Sequence, residues 1–263
     1  MFRERSVGSA QLSPCGTRVA YTVTTVDRVA DTSETALWMA HVDAGPPPLR
    51  MTARGTDATA PRWSPDGSML TFLSSRAEPG SAVPPSTQVW ALKLAGGEAF
   101  KLTSLHGGVQ SFEWSPDIRR PRLLLSTREI LGLAALETKD NDSVEQRAPK
   151  AEPWVMDSLQ FKQDYVGYLD SRRGGLHLWV QEPAVPLLPE QNVAEDSEAT
   201  APKLTQITSG MHTDETNAAW SPDGRRVAFA SNRTPEPDTN SSSNIWVVSA
   251  DNTDQGKSLV QVL

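Results

Sequence analysis

The sequence predicts an all-β fold made of repeated four-stranded sheets, and three observations support this prediction. A WSPDG phrase occurs at 63–67 and again at 220–224, and two altered copies of its SPDG core occur elsewhere. A tryptophan-centred apolar run follows three of the four phrases by 24 or 25 residues, counted from the proline. A hydrophobic residue followed by threonine closes two of the units. Such regular recurrence is typical of folds assembled from one supersecondary unit.

The phrase itself has a mechanical explanation. Proline presets φ at the first corner of a turn, aspartate accepts backbone N–H groups, and glycine adopts the left-handed conformation that closes the turn. A turn of this kind joins two antiparallel strands. The four prolines are separated by 51, 51 and 106 residues, and the last gap is twice 53. The phrases are Ser13-Pro14-Cys15-Gly16, Ser64-Pro65-Asp66-Gly67, Ser115-Pro116-Asp117-Ile118 and Ser221-Pro222-Asp223-Gly224.

Strands are predicted on both sides of each turn. Apolar residues recur at every second position after three of the turns, a period typical of a strand buried on one face or unequally on two. These residues are Val19, Tyr21, Leu70, Phe72, Val227 and Phe229. The strand before each turn ends with Leu12, Trp63, Trp114 or Trp220. The later apolar runs centre on Trp38, Trp90, Trp179 and Trp246, and the closing pairs are Met51-Thr52 and Leu102-Thr103.

Four strands in roughly 50 residues indicate one blade of a β-propeller. The sequence predicts a single propeller domain over residues 1–263, with about five blades of a seven- or eight-bladed ring. Their predicted bounds are 1–52, 53–104, 105–150, 151–208 and 209–263. Seven of the eight tryptophans occupy the two recurring positions, so we expect them to fill the interfaces between blades rather than to bind a ligand.

The fourth predicted blade lacks a turn phrase. Residues 157–173 are interpreted as its first hairpin, with Gly167 at the turn, and GLHLWVQE and PKLTQIT as its third and fourth strands. The proline- and acid-rich segment 182–202 is interpreted as a surface insertion, and 234–244 as a polar loop between two strands. Segment 129–150 is not assigned to strands.

Composition excludes several classes of function. The chain has 25 Lys and Arg against 32 Asp and Glu, a net charge of −7, and no basic stripe, so nucleic acid is not expected as a partner. No apolar run approaches the roughly 18 residues of a membrane helix, and the first residues lack the apolar core of a signal peptide. Cys15 is the single cysteine, which excludes an intrachain disulfide. We therefore expect a cytoplasmic protein that does not bind a membrane.

Several longer phrases resemble the N-terminal propeller of prolyl oligopeptidase-family serine peptidases, in the acylaminoacyl-peptidase-like or dipeptidyl-peptidase-like branch. They are AYTVTTVDRVADTSETALW (20–38), the two WSPDG turns, PWVMDSLQFKQDYVGYL (153–169) and AFASNRTPEPDTNSSSNIWVV (228–248). The resemblance covers nearly the whole chain. It implies a propeller that caps a separate α/β-hydrolase domain and filters peptide substrates by size.

The chain departs from that family in its chemistry. A nucleophile elbow needs Gly-x-Ser-x-Gly between a strand and a helix, and no such pentapeptide occurs. The four histidines, His41, His106, His177 and His212, have no serine and acid in a recognisable hydrolase context. We therefore predict no catalytic residue, no cofactor site and no metal site. His212, Asp214 and Glu215 could in principle bind a metal, but a solvated loop before a strand is the favoured interpretation.

The predicted blade count has its own consequence. An arc of five blades would leave apolar blade faces bare, and such patches drive association. The sequence therefore indicates a truncated or fragmentary chain, or one whose open edge pairs with a partner or with itself.

Two other functions remain open at this stage. A protein-binding propeller, like a WD40 scaffold or the Tol–Pal periplasmic propeller, would require a partner and, in the periplasmic case, a signal peptide. A propeller lyase or glycosidase would require clusters of His, Arg or acidic residues facing the central channel. Fold alone does not decide between these functions and a peptidase propeller.

Overall fold

A computed structural model describes residues 3–43, 45–77, 86–105, 107–130, 159, 161–163, 167–168, 173–183, 203–210 and 213–262. These residues form four four-stranded antiparallel sheets and one two-stranded hairpin, so the predicted all-β propeller fold is confirmed. Among them, helical structure is limited to the 3-10 turn Pro237–Thr239. In this part of the chain no helix is long and apolar enough to cross a membrane.

The strands follow one another in blade order. Blade 1 contains β1 (Arg3–Leu12), β2 (Arg18–Asp27), β3 (Thr32–His41) and β4 (Leu49–Arg50). Blade 2 contains β5 (Thr59–Trp63), β6 (Met69–Ser74), β7 (Gln88–Lys93) and β8 (Phe100–Lys101). Blade 3 contains β9 (Ser111–Trp114), β10 (Leu123–Ile130), β13 (Arg173–Glu182) and β14 (Lys203–Gln206). Blade 4 contains β15 (Thr216–Trp220), β16 (Arg226–Ser231), β17 (Asn244–Ser249) and β18 (Val260–Gln261). A separate hairpin pairs β11 (Lys162–Gln163) with β12 (Gly167–Tyr168).

The prediction of two separate blades over 105–150 and 151–208 is wrong. Strand β10 pairs directly with β13, with Leu125 opposite Trp179, so the Trp179 run is the third strand of the blade that begins at β9. The described residues therefore form four blades, not five. The third and fourth turn phrases are 106 residues apart because a long insertion, which includes the β11–β12 hairpin, separates the second and third strands of blade 3. Gly167 does not lie at the hairpin turn but begins β12, opposite Gln163.

The final strand β18 completes blade 4 by pairing with β17, and one further prediction about a segment is confirmed. Residues 234–243 lie in the loop between β16 and β17, and the side-chain amide of Asn232, which begins this loop, donates to the Asn240 carbonyl at 3.0 Å. Most of segments 129–150 and 182–202 lies outside the described residues.

The turn phrase adopts the expected geometry. In blade 2 the Gly67 N–H donates to the Ser64 carbonyl at 2.9 Å, and the Met69 N–H donates to the Ser64 hydroxyl at 2.9 Å. The Ser64 hydroxyl in turn donates to Asp66 Oδ1 at 2.6 Å. Gly67 has a φ of 71°, in the left-handed region that glycine tolerates without a Cβ penalty. In blade 3 the turn is two residues longer, and Ser115 Oγ accepts from the Arg122 N–H instead.

The blades pack face to face through three hydrophobic clusters, one at each interface between neighbours. Alternate residues of one strand serve different clusters. In β6, Leu70 and Phe72 face blade 1, whereas Met69 and Leu73 face blade 3. This arrangement explains why β6 is buried on both faces and why its sequence is almost continuously apolar.

The tryptophans at the ends of the first strands bind the preceding blade, as their expected role in the interfaces requires. Trp63 Nε1 donates to the Gln11 carbonyl at 3.0 Å, and Trp114 Nε1 donates to Thr71 Oγ1 at 2.9 Å. Strand β1 contacts β5, and β5 contacts β9, so the first strands converge and form the inner wall of the arc. Each buried indole thus combines apolar packing with a satisfied N–H.

Candidate functional site

A group of charged side chains lies where the chain passes from blade 3 into blade 4. We call it the polar edge. Its residues come from strands β10 and β13 in blade 3, from the segment that leads into β15, and from the residues just after β16. All of them lie at the end of the sheets where second strands finish and third strands begin. Its members are Arg128, His177, Thr213, Asp214, Glu215 and Arg233.

Glu215 is the centre of the polar edge, and its side chain is completely buried. Its Oε2 lies 2.9 Å from His177 Nδ1, and the His177 side chain is also buried. Its Oε1 accepts from the Thr213 hydroxyl at 3.2 Å and from a guanidinium N–H of Arg233. A buried carboxylate needs such partners, because removing an unpaired charge from water costs on the order of several kcal/mol.

Arg233 is held by packing as well as by charge. Its guanidinium lies 5.9 Å from the ring centroids of both Phe229 and Trp246, within the range of cation–π attraction. Its Nη2 also donates to the Ser209 carbonyl at 3.2 Å. These contacts leave the side chain 15% exposed and fix its direction toward Glu215.

The same packing of an arginine against two aromatic rings recurs in blade 2. Arg76 follows β6 as Arg233 follows β16, and its guanidinium lies 4.7 Å from Trp90 and 5.3 Å from Phe72. Burial lowers the pKa of the Arg76 guanidinium. The two arginines therefore share one structural role, stacking on the aromatic pair formed by the second and third strands of their own blade.

Asp214 attaches the segment entering blade 4 to β13. Its two carboxylate oxygens each accept from the Arg128 guanidinium at 3.1 Å, and Oδ1 also accepts from the Leu176 N–H at 2.9 Å. The Glu215 N–H donates to the Leu176 carbonyl at 2.9 Å, beside an isolated parallel bridge between Leu176 and Asp214. Bidentate arginine–carboxylate pairs fix geometry as well as charge.

The interpretation of His212, Asp214 and Glu215 as a solvated loop is wrong for Glu215, which is buried against β13 and the end of β16. The Asp214 side chain remains 50% exposed and pairs with Arg128. His212 lies outside the described residues. One signal in the sequence could have identified the arginines: a Ser-x-Arg phrase recurs near the end of the second strand, at 74–76, 126–128 and 231–233.

The other predicted residues are dispersed. His41 is the last residue of β3 in blade 1, far along the chain from the polar edge, and His106 lies outside the described residues. The described part of the chain contains no group of three or more His, Cys, Asp or Glu side chains placed to hold a metal ion. The polar edge pairs each of its carboxylates with a cation, an arrangement that stabilises the contact between blades 3 and 4. That the chain lacks catalytic, cofactor and metal sites stays a prediction.

Two further charged residues lie on the first strands that form the inner wall. Glu113 on β9 and Arg62 on β5 directly precede the interface tryptophans of their strands. Burial raises the pKa of the Glu113 carboxyl, and the positive charge of Arg62 partly opposes that shift. Both residues thus lie on first strands of neighbouring blades, close enough for their charges to interact.

Cys15 stands where the full turn phrase has aspartate, and its thiol is exposed. Its Sγ lies 3.4 Å from Ser13 Oγ and 3.0 Å from Thr17 Oγ1. These hydrogen bonds, the Ser13 bond first, lower the pKa of the Cys15 thiol to about 7. The Cys15 thiol thus occupies the place of the turn carboxylate.

We expect the alkylation of Cys15 by iodoacetamide to report this pKa. Because the thiolate is the nucleophile, the alkylation rate should rise with pH to a half-maximum near pH 7, as the thiol pKa of about 7 requires. Intact mass spectrometry of samples quenched between pH 5 and pH 10 measures the rate. The Thr17→Val variant removes one hydroxyl and should move the midpoint upward. A wild-type midpoint at the ordinary thiol value of about 8.5 would contradict the assignment.

Comparison with known proteins places these blades among peptidases. No protein-family model matches the chain. It is 30% identical over 245 residues to the uncharacterized peptidase YuxL of Bacillus subtilis, covering 92% of this chain and 32% of that protein. It is 23% identical over 232 residues to dipeptidyl-peptidase 5 of Porphyromonas endodontalis, covering 86% of this chain and 29% of that protein.

A solved structure shows the same fold. The acylaminoacyl peptidase of Pyrococcus horikoshii superposes with a TM-score of 0.59 at 17% identity, covering 99% of this chain and 33% of the other. The chain thus spans about a third of the length of the proteins that it matches. The similarity to the two peptidases extends along nearly all of the chain. These similarities support a β-propeller domain of a prolyl oligopeptidase-family peptidase.

Proposed function

We propose that the chain is the non-catalytic propeller of a prolyl oligopeptidase-family serine peptidase, and that it restricts access to a hydrolase domain outside these 263 residues. One observation carries the proposal: the similarity to YuxL covers 92% of this chain but only 32% of that peptidase. The matched third corresponds here to propeller blades. On this proposal the remaining length of such a peptidase supplies the nucleophile, and the substrates of the whole protein are peptides.

The construction of the arc supports a filtering role. A filter by size must keep its opening fixed, and the three interface clusters together with the polar edge hold neighbouring blades in one arrangement. The converging first strands present Arg62 and Glu113 near the inner wall. An extended peptide that passes along this wall would meet both charges, whereas a folded protein would be excluded by its width.

A cytoplasmic location belongs to the same proposal. The single cysteine of this sequence needs no oxidising compartment. Its thiol lies exposed in a turn of blade 1.

An activity-based probe tests the non-catalytic part. A fluorophosphonate labels serines that are activated as nucleophiles, and we expect none to be labelled in the 263-residue chain. Hydrolysis of aminoacyl and acylated-peptide chromogenic substrates should likewise equal the buffer rate. Trypsin serves as the positive control for the probe. Stoichiometric labelling of one serine, lost when that serine is changed to alanine, would overturn the proposal.

A chimeric enzyme tests the gating part. The matched 245-residue segment of YuxL is replaced by this chain, and kcat/KM is measured for a dipeptide chromogenic substrate and for a 40-residue unfolded peptide. We expect the chimera to hydrolyse the short substrate and to discriminate against the long one. A chimera that hydrolyses the short substrate at the parental rate and the long one equally well would contradict a gating role.

A further inference from the structure

The chain enters blades 2 and 4 through connecting segments of the same construction. Each segment contains an aspartate, Asp57 or Asp214, whose carboxylate accepts from a third-strand N–H of the preceding blade at 2.8 or 2.9 Å. The next residue, Ala58 or Glu215, donates its own N–H to the carbonyl of that same third-strand residue at 2.9 Å. Ala58 therefore occupies in blade 2 the position that Glu215 occupies in blade 4.

The arginines that follow the second strands of these blades differ in what they pair with. Arg233 donates to the Glu215 carboxylate. Arg76 holds the equivalent place after β6, where Ala58 has no side-chain acceptor. Its Nε donates to the Ser74 hydroxyl at 3.3 Å, whereas its Nη2 is buried and has no hydrogen-bond partner among the residues that the structure describes. Burying a cationic donor without an acceptor costs free energy, so the position favours an acceptor supplied by a ligand.

A second buried donor lies against Arg76. The Arg76 guanidinium carbon is 4.7 Å from the ring centroid of Trp90, which is 6% exposed. Within the described part of the chain, Trp90 Nε1 is also without a hydrogen-bond partner. Its counterpart in blade 4, Trp246, donates its indole N–H to the Ser231 carbonyl at 3.2 Å. Blade 2 thus brings together two unpartnered donors, whereas in blade 4 the indole has a carbonyl and the arginine has a carboxylate.

A carboxylate suits this pair of donors, because it has two acceptor oxygens and a negative charge. Arginine binds carboxylates through charge-assisted hydrogen bonds, and Glu215 shows this chemistry at the equivalent position of blade 4. We propose that Arg76 and Trp90 form a binding site for the carboxylate of a peptide. Arg76 is half-buried, so part of its side chain remains open to a ligand.

The position of the site favours a peptide as the source of the carboxylate. The Ser74 hydroxyl donates to the Asp57 carbonyl at 2.6 Å, which places Arg76 beside the segment that leads into β5. Strand β5 belongs to the inner wall, so a peptide that passes along this wall reaches the site where the strand begins. This choice of ligand rests on the proposed function. Binding is measured on the 263-residue chain alone, so its failure would leave the gating of a hydrolase domain, which the chimera tests, unaffected.

The indole N–H of Trp90 is a direct probe of the site. In proton–nitrogen correlation spectra of the full chain, N-acetyl-trialanine with a free carboxylate should move the indole signal that the Trp90→Phe spectrum lacks. The C-terminal amide of the same peptide should bind about tenfold to hundredfold more weakly, the range of a charge-assisted hydrogen bond. If both peptides move the signal equally, or neither moves it at millimolar concentration, the proposal is wrong.

Replacing Arg76 by methionine tests the guanidinium. Methionine keeps apolar contact with Phe72 and Trp90, so the affinity for the free-acid peptide should fall to that of the amide. Arg54→Met is the matched control, because it removes the same charge from an exposed position of the same connecting segment and should change the Kd less than about twofold. Far-UV circular dichroism confirms that both variants are folded. A folded Arg76→Met chain that binds the free-acid peptide as tightly as the wild type would refute the site.

Two further samples identify the source of the carboxylate. An N-acetylated Ala-Glu-Ala amide carries its charge on a side chain, so its affinity relative to the free-acid peptide shows whether the site takes a peptide terminus or an acidic side chain. Glu78 is the acidic residue nearest to Arg76 in the sequence, and Glu78→Gln should leave peptide binding unchanged. Binding that appears only in Glu78→Gln would mean that the chain supplies its own carboxylate, contrary to the proposal.

Discussion

Replacing Arg233 by methionine is expected to lower the free energy of unfolding by about 3–5 kcal/mol, the range measured when one partner of a buried ion pair is removed. The substitution leaves the Glu215 carboxylate, which is 0% exposed, without its guanidinium. Methionine retains much of the arginine side chain's length, so packing against Phe229 and Trp246 is largely kept and the loss reports the charge. Urea unfolding followed by tryptophan fluorescence measures the change.

Arg28 supplies the matched control for this prediction. Arg28 pairs with Glu4 on the surface of blade 1, and both side chains are mostly exposed, so Arg28→Met should leave the unfolding midpoint nearly unchanged. A Glu215→Met, Arg233→Met double variant should be more stable than Arg233→Met alone, because no buried charge then remains without its partner. If Arg233→Met shifts the midpoint no more than Arg28→Met, Glu215 does not depend on Arg233.

The parts of the fold that could be predicted are those set by local chemistry. A Ser-Pro-Asp-Gly phrase specifies its own turn, since the hydroxyl of Ser64, the carboxylate of Asp66 and the left-handed conformation of Gly67 all act within six residues. Apolar alternation then specifies the strands on both sides. Strand partners within a blade follow because consecutive strands joined by short turns pair with each other.

Pairing across a long insertion was not predictable on the same basis. The β10 and β13 strands are separated by 42 residues, from Ile130 to Arg173, and nothing local in either strand specifies the other. Spacing therefore suggested an additional blade. The bulges before the first-strand ends were also missed: Ser9, Ala60 and Asn217 have positive φ angles without being glycine. Tertiary packing of the strand ends imposes that conformation at a local energetic cost.

The polar edge is a third feature that could not be predicted from the sequence. Asp214 and Glu215 were visible as acids in a loop, and the Ser-x-Arg phrases were visible at strand ends, but their meeting depends on how blade 4 docks on blade 3. Acidic residues in a sequence are expected to be exposed to solvent, since charged residues are seldom fully buried unless they are paired. Glu215 can be buried because His177 and Arg233 lie on either side of it and bond its carboxyl oxygens.

Replacing Phe72 by alanine is the second change expected to have a large effect, about 3–5 kcal/mol of unfolding free energy, as for other buried phenylalanines. Phe72 is completely buried at the interface of blades 1 and 2, where it packs with Leu37, Trp63 and Trp90. Its removal leaves a cavity that two flat sheets can only partly close. Phe161→Ala is the control, because Phe161 is 42% exposed and should tolerate the same change.

The loss should also be localised, because each blade in the described arc contacts only its neighbours, as units of a repeat protein do. In Phe72→Ala, amide hydrogen exchange should accelerate in β2, β3 and β6, while β16 and β17 of blade 4 keep their protection. The polar edge and the cluster of Val227 and Phe229 still hold blade 4 to blade 3. Uniform acceleration across all four blades would instead mean that the arc unfolds as one cooperative unit, and that its interfaces are coupled beyond nearest neighbours.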